Sequence, residues 1–483
     1  MNEEMLDALV DLMDAAGGRC AYADARWVDR SHEALTVVDG AIESVDIVDE
    51  EGVGVRVRVD GAWGFAATQT LSRGGLQEAL ARALALAEAE PRRPAPTPLA
   101  PVAPARGSWR SPCAIDPFGV ALEEKLALLL AVDEAMAGDP RLGRRGAFCV
   151  AERAVKAFAS TEGAACEQSM VECGGGMVAV AVADDDLQLR SYPSGHGGDV
   201  AQAGWEHVVG LDLPAHGAEV ADEAVALLTA PPCPEGTMTV VIDSEQVALQ
   251  LHESIGHALE LDRMLGYEAA YAGTSFVRPE DLGALRYGSD ALNVTADAVL
   301  PGALGTYGWD DEGVAGQRTP LVVEGRLVGA LSSRETAGAV GLEASSGAMR
   351  ADGFARQPLV RMPNVSLEPG DGGTLVDLVA GVDDGLYLQT NRSWSIDDRR
   401  LQFQFTTQLA REIKGGELGG LRRNALYAGH TPRFWSGLDA VGSASAQQVH
   451  SFTKCGKGEP GQFAHVSHAT APARFRDVDV RAR

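Results

Sequence analysis

The chain has no apolar run approaching the roughly 20 residues that a helix needs to cross a bilayer. Its first residues, Met1-Asn2-Glu3-Glu4-Met5, put acid where a secretory leader carries lysine or arginine. Neither membrane insertion nor export is expected, and a cytoplasmic location is. Cysteine is sparse: seven residues, an odd number without regular spacing, argue against a disulfide framework and for a reducing compartment. Basic residues are outnumbered 41 to 68, which leaves the 483-residue chain with a formal charge of −27. That acidity opposes contact with phosphate backbones, so direct nucleic-acid binding is not expected. The remaining composition, 45% hydrophobic, is that of a large globular chain with room for two or three cores.

One segment carries chemistry. His252-Glu253-Ser254-Ile255-Gly256-His257 places two imidazoles and a carboxylate within six residues. Two neutral imidazoles can bind a divalent zinc ion, and an adjacent carboxylate can take a proton from a water on it. In the common zinc-peptidase pattern the histidines are four apart and share one helix face. Here they are five apart, so in a regular α-helix the second ring would sit about 140° around the axis from the first. A single i→i+5 turn brings the rings back to one face, and Gly256, without a Cβ, lowers the cost of that distortion. Upstream, the β-branched run from Thr237 to Asp243 reads as a buried strand, with Ser244 as the candidate N-cap of the helix that follows.

A catalytic zinc needs a third protein ligand and an open position. Near the motif, Glu260 and Asp262 could supply it; farther away are the other histidines and the cysteines. Cys20, Cys149, Cys166 and Cys173 sit in apolar or strand-like settings that suit small buried hydrophobes, while Cys113 and Cys233 have prolines beside them and read as loop residues. Cys455 lies in Lys454-Cys455-Gly456-Lys457-Gly458-Glu459-Pro460-Gly461-Gln462, a glycine-rich turn whose lysines would favour a thiolate.

Punctuation divides the rest. An amphipathic helix is expected over 2–16. Strands follow at Trp27-Val28, Leu35–Val38, Ala41–Val48, Gly52–Val59 and Ala62–Thr68, with hairpin turns at Asp39-Gly40 and Asp60-Gly61, and then a helix at 74–90. Seven prolines between Pro91 and Pro112 read as a linker. A second unit has helices near 119–137 and 216–229 around strands at 147–182, and Pro231–Pro234 is a hinge. The third unit is rich in glycine and short β-like stretches, with one short helix at Thr374–Val379. The fold class is α+β: N-terminal mixed antiparallel sheets with packing helices (a subdomain at 1–92, the linker at 93–112, a second subdomain at 113–234), and a largely β, barrel-like domain at 235–483 carrying the metal-binding helix.

The motif with Glu260 and Asp262 behind it, Gly305-Thr306-Tyr307-Gly308-Trp309-Asp310-Asp311-Glu312-Gly313, Arg361-Met362-Pro363-Asn364 and the Cys455 loop together resemble the TldD/PmbA family, in its TldD-like zinc metallopeptidase branch. The resemblance runs over nearly the whole chain. It implies that His252, His257 and Cys455 bind Zn2+ and that Glu253 is the catalytic base. It also implies small or unfolded peptides as substrates and a TldE/PmbA-like subunit as partner in a heterodimer, or a second copy in a homodimer. The segment Asn391–Asp398 differs from the best-known members. Tyr307, Tyr387, Arg392, Lys454 and Lys457 are candidates to steady an oxyanion. Two other readings are a metal-stabilised regulatory protein without catalysis and a zinc amidohydrolase acting on a non-peptide amide.

Overall fold

The computed structural model describes residues 3–90, 96–184, 186–195 and 197–482; the expected linker is therefore described only from residue 96 onward, and the expected first helix from residue 3. Two strands, Tyr22–Val38 and Ala41–Val59, form a long hairpin. Its turn, Asp39-Gly40, has φ of 49° and 77°, and the next turn, Asp60-Gly61, has φ of 49° and 86°. Both residues of each turn are left-handed, the requirement of a two-residue hairpin whose twist matches its strands. Each of these strands runs through what the sequence suggests are two shorter ones. The polar stretch Asp29–Ala34 has poor strand propensity, but it is paired on both sides, to Ala41–Val59 and to Leu142–Ser160, so its backbone groups are satisfied only as strand.

The sheet continues in the order Ala62–Thr68, Ala41–Val59, Tyr22–Val38, Leu142–Ser160, Ala165–Ala183 and Arg106–Arg110. All of these pairs are antiparallel except the last. The helices Glu3–Ala16 and Arg73–Ala89 cover one region of it, burying Trp27, Val53, Val55 and Val57. The helices Leu122–Ala135 and Leu213–Thr229 cover another, with Leu35, Val37, Cys149 and Cys173.

The C-terminal region is built on a closed barrel of five strands: Asp384–Ile396, Gly236–Ile242, Ala473–Ala482, Ala425–His430 and Gln402–Lys414, the last pairing back to the first. Sheet dominates the whole α+β fold, 43% strand against 24% helix. Among the described residues no helix is long and apolar enough to cross a membrane. Phe403, Phe405, Tyr427, Phe434, Trp435 and Phe475 stack in the barrel's core. A buried ionic seam ties this region to the first sheet. Asp311 lies 3.7 Å from Arg26 and 3.6 Å from Lys156, and Glu312 lies 3.2 Å from Arg56.

The barrel strand Gly236–Ile242 leads directly into the helix Ser244–Leu251. Its N-cap is Asp243, one residue before the expected Ser244. Asp243 Oδ1 accepts from the Gln246 amide at 2.8 Å while Oδ2 accepts from Thr390 of the neighbouring strand at 3.0 Å. A carboxylate offers a separate oxygen to each donor, where a serine has a single one. Every residue from Val241 to Arg263 is buried, so the motif is held by packing on all sides.

The expected i→i+5 turn is present: His252–Gly256 is a π-turn, and the His257 amide donates to the His252 carbonyl. Gly256, however, has ordinary helical angles, φ −51° and ψ −62°. Its role is spatial rather than conformational, because a Cβ there would lie 2.1 Å from Met362 Sδ. Gly256→Ala is therefore expected to cost about 1–3 kcal/mol by overpacking, measured by denaturant unfolding. Adding Met362→Ala should recover part of that loss, whereas equal single and double losses would place the strain in the backbone instead.

Candidate metal centre

His252 and His257 project from the two ends of the π-turn, and Cys455 reaches them from the hairpin Gln448–Lys457/Gln462–Thr470. One donor atom from each of the three lies within 4.8 Å of the others. Cys455 stands on the strand, and the turn the sequence suggests begins only after Lys457. Its Sγ is 3.5 Å from His257 Nε2. Tetrahedral zinc with Zn–S near 2.3 Å and Zn–N near 2.0–2.1 Å puts sulfur and nitrogen about 3.5 Å apart, so this hydrogen-bond spacing would also fit two ligands of one ion.

Hydrogen bonds behind the rings fix which nitrogen is free. His468 Nδ1 lies 2.5 Å from the Val365 carbonyl, which can only accept, so that nitrogen carries the proton. Burial, followed by the neighbouring His252, holds His468 well below the usual imidazole range, so it is neutral and its Nε2 accepts from His252 Nδ1 at 2.8 Å. His252 in turn is pushed down to about 4, chiefly by burial. Its Nε2 lone pair therefore points into the site. His257 is set the same way, with Nδ1 3.2 Å from Glu260 Oε2. Two Nε2 lone pairs and a thiol form a donor set that suits zinc.

Glu260 is fully buried and also receives Arg263 at 2.6 Å and Lys457 at 3.1 Å. Burial raises its carboxyl, but Lys457, His257 and Arg263 outweigh that and hold it well below the usual range. Lys457 also pairs with Asp262 at 2.7 Å. That lysine therefore serves the carboxylates rather than the thiol, and Lys454 is exposed. For Cys455, burial raises the thiol, while His257 and Arg361 pull it down to about 7. The other buried thiols, Cys149, Cys166, Cys173 and Cys233, are pushed up to about 12, mainly by burial. Cys233 lies in the connection between the helix Leu213–Thr229 and the strand Gly236–Ile242, as expected, but is buried in the C-terminal core, and Cys20 is only half-buried.

Glu253 is held from the barrel side. Trp394 Nε1 donates to Oε1 at 2.9 Å, and Arg400 Nη1 donates to Oε2 at 2.6 Å. Burial raises this carboxyl; Arg400 and the two motif histidines overcome it, so Glu253 is held below its ordinary value and is ionised.

The other sequence motifs converge here. Arg361 donates to the carbonyls of Cys455 and Gln462, Met362 packs on Gly256, and Asn364 Oδ1 accepts from Gly305 and Ser467. Family models match the chain over most of its length. Residues 235–481 match the PmbA/TldA metallopeptidase C-terminal domain, 23–87 match its domain 1 and 115–229 its central domain. The chain belongs to the PmbA/TldD family of metallopeptidases. A metalloprotease of the family from Methanocaldococcus jannaschii is 28% identical over 442 residues, covering 91% of this chain and 92% of that one. One from Synechocystis is 30% identical over 431 residues, 88% and 87% of the two chains. Over 250 residues, 51% of this chain and 52% of the other, a zinc metalloprotease TldD homolog of Saccharolobus solfataricus is 27% identical. Among solved structures, TldE of Thermococcus kodakarensis has the same fold, with a TM-score of 0.77 at 16% identity over 98% of this chain and 99% of that one.

The sequence reading missed His468, Trp394 and Arg400. Nothing local marks them, since their partners lie 216, 141 and 147 residues away. His468→Phe keeps the ring volume but removes the acceptor for His252 Nδ1–H. Zinc affinity should fall on the order of 10–100-fold, measured by chelator competition; unchanged affinity would show that His252 needs no orienting partner.

Proposed function

We propose that this metallopeptidase is zinc-dependent and cleaves small or unfolded peptides, with His252, His257 and Cys455 as metal ligands and Glu253 as general base. The observation that carries the reading is the pair of imidazoles whose Nδ1 atoms are both committed to buried partners, leaving two Nε2 lone pairs beside a thiol that loses its proton near neutral pH. Zinc in such a site supplies a Lewis acid and lowers the pKa of a water toward about 7. Glu253 accepts the proton of the attacking water as its oxygen bonds to the peptide carbonyl carbon. The same carboxyl then gives that proton to the amine nitrogen as the C–N bond breaks. Trp394 and Arg400 keep the carboxylate ionised and aimed while it is almost fully buried.

The reading extends to the assembly and its surroundings. A cavity of about 440 Å³ lies between the first sheet and the sulfur-bearing hairpin, and Lys454 and Arg361, which flank Cys455, are part of its lining. A TldE/PmbA-like subunit, or a second copy of the chain, would enclose it and limit entry to extended peptides, in a cytoplasmic enzyme.

Glu253→Gln keeps the shape and one of the two accepted hydrogen bonds but cannot take the proton. Bound zinc, by elemental analysis, should stay stoichiometric while kcat on a peptide panel falls on the order of 10²–10⁴-fold. Retained turnover would remove Glu253 from the mechanism.

A further inference from the structure

The oxyanion formed when water adds to a peptide carbonyl needs a partner; of the groups that the sequence offers for it, Lys454 is exposed at the cavity wall and the others are committed elsewhere. Tyr307 donates to the Gly347 carbonyl, Arg392 to Gln188, Asn424 and the Leu187 carbonyl, and Lys457 to Glu260, Asp262 and the Val360 carbonyl. Tyr387 lies in a separate core with Val241 and Leu378. Among the described residues, the cation that stands against Glu253 is Arg400. We propose that Arg400 is a catalytic residue whose guanidinium transfers from Glu253 to the oxygen of the scissile carbonyl as negative charge moves there.

The proposal rests on the peptidase reading above and on two observations. First, the Arg400–Glu253 pair is mostly buried, with side chains 15% and 9% exposed and 2.6 Å between them. When Glu253 takes the proton from water it becomes neutral, and Arg400 is left as a buried cation without a counter-charge, an expensive state. In the same step the water oxygen bonds to carbon and the carbonyl π pair moves onto oxygen, so an anion appears one carboxylate away. A guanidinium that exchanges one anion for the other keeps the site's charge balanced. Its contact with the substrate oxygen then grows from ground state to transition state, which is the condition for lowering a barrier.

Second, Arg400 has φ +62°, a left-handed conformation that glycine or asparagine adopts at less cost. The turn around it is firmly tied. The Arg400 amide donates to the Asp397 carbonyl at 2.9 Å, its own carbonyl accepts from Thr431 Oγ1 at 2.7 Å, and the Asp398 and Arg399 carbonyls accept from the Thr274 and Phe276 amides at 2.8 Å. The backbone is thus fixed, while among the described residues the side chain makes, beyond Glu253, only a 3.4 Å hydrogen bond from Nη2 to the Ala272 carbonyl. Strain of this kind at a turn, held for the sake of one side chain, points to a role for that side chain.

The test uses Arg400→Gly, which relieves the backbone strain, and Arg400→Asn as a second variant that tolerates the same φ. Both should keep full zinc content and a single cooperative unfolding transition, at a lower thermal midpoint because Glu253 loses its buried counter-charge. kcat should fall on the order of 10²–10³-fold with KM nearly constant, equally for peptides with free and amidated C-termini. A phosphinic peptide, an anionic mimic of the tetrahedral species, should lose affinity by the same factor in calorimetry. Unchanged kcat would overturn the assignment, as would a fall in kcat with unchanged phosphinate affinity, which would leave Arg400 only the role of holding Glu253 ionised, a loss confined to free-acid peptides, which would make Arg400 a reader of the substrate carboxylate, or a parallel loss of zinc. Glu253→Gln serves as the control. If it too retains activity, the peptidase mechanism fails; if it is inactive while Arg400→Gly is not, only the role of Arg400 falls.

Discussion

The site depends on two buried acceptors that cannot donate. The Val365 carbonyl fixes the proton on His468, His468 fixes the proton on His252, and Glu260 does the same for His257. An imidazole free to choose its tautomer would present a lone pair to the metal only part of the time. One whose second nitrogen is committed presents it always, and its ring is held in orientation as well. The cost is a set of charged groups without water: Glu260, Arg263, Lys457 and Asp262 are all buried. They are retained because each satisfies another, and an isolated member of the set would be strongly destabilising.

The same logic explains why so much of the chain is needed for so small a centre. The π-turn is set at one end by Asp243, which bonds both its own helix and a barrel strand, and is pressed by Met362 at the other. The sulfur comes from a hairpin whose strands are fastened through Arg361, Asn364 and Arg350, the last donating to the His465 carbonyl. The Gly305–Gly313 stretch carries its acids away from the metal and into ion pairs with Arg26, Arg56 and Lys156 of the first sheet. Its value to the centre is mechanical, since it locks the sheet that forms one wall of the cavity beside Cys455 to the body that bears the histidines.

Glu253 illustrates how burial and charge are balanced at such a site. Removal from water alone would protonate it. Arg400 reverses that, and Trp394, 42% exposed at the rim, adds a neutral donor on the other oxygen.

From sequence alone, the metal motif and its distorted turn were legible because spacing and periodicity are local properties: histidines five apart can share a face only through an i→i+5 turn. The helices and the Asp-Gly turns were legible for the same reason, and Cys455 stood out among the cysteines by its glycine-rich, lysine-flanked loop but was joined to the histidines only through several motifs occurring together. The polar middle of the first long strands misled because strand propensity cannot register hydrogen bonds from two neighbours. Gly256 was recognised but given the wrong reason, since the sulfur that occupies the space of its missing Cβ belongs to a residue about a hundred positions away. His468, Arg400, Trp394 and the true partner of Lys457 were decided by tertiary structure alone. A side chain's role there is set by what burial brings within hydrogen-bond reach, and the order of residues along the chain does not encode that distance in any local pattern.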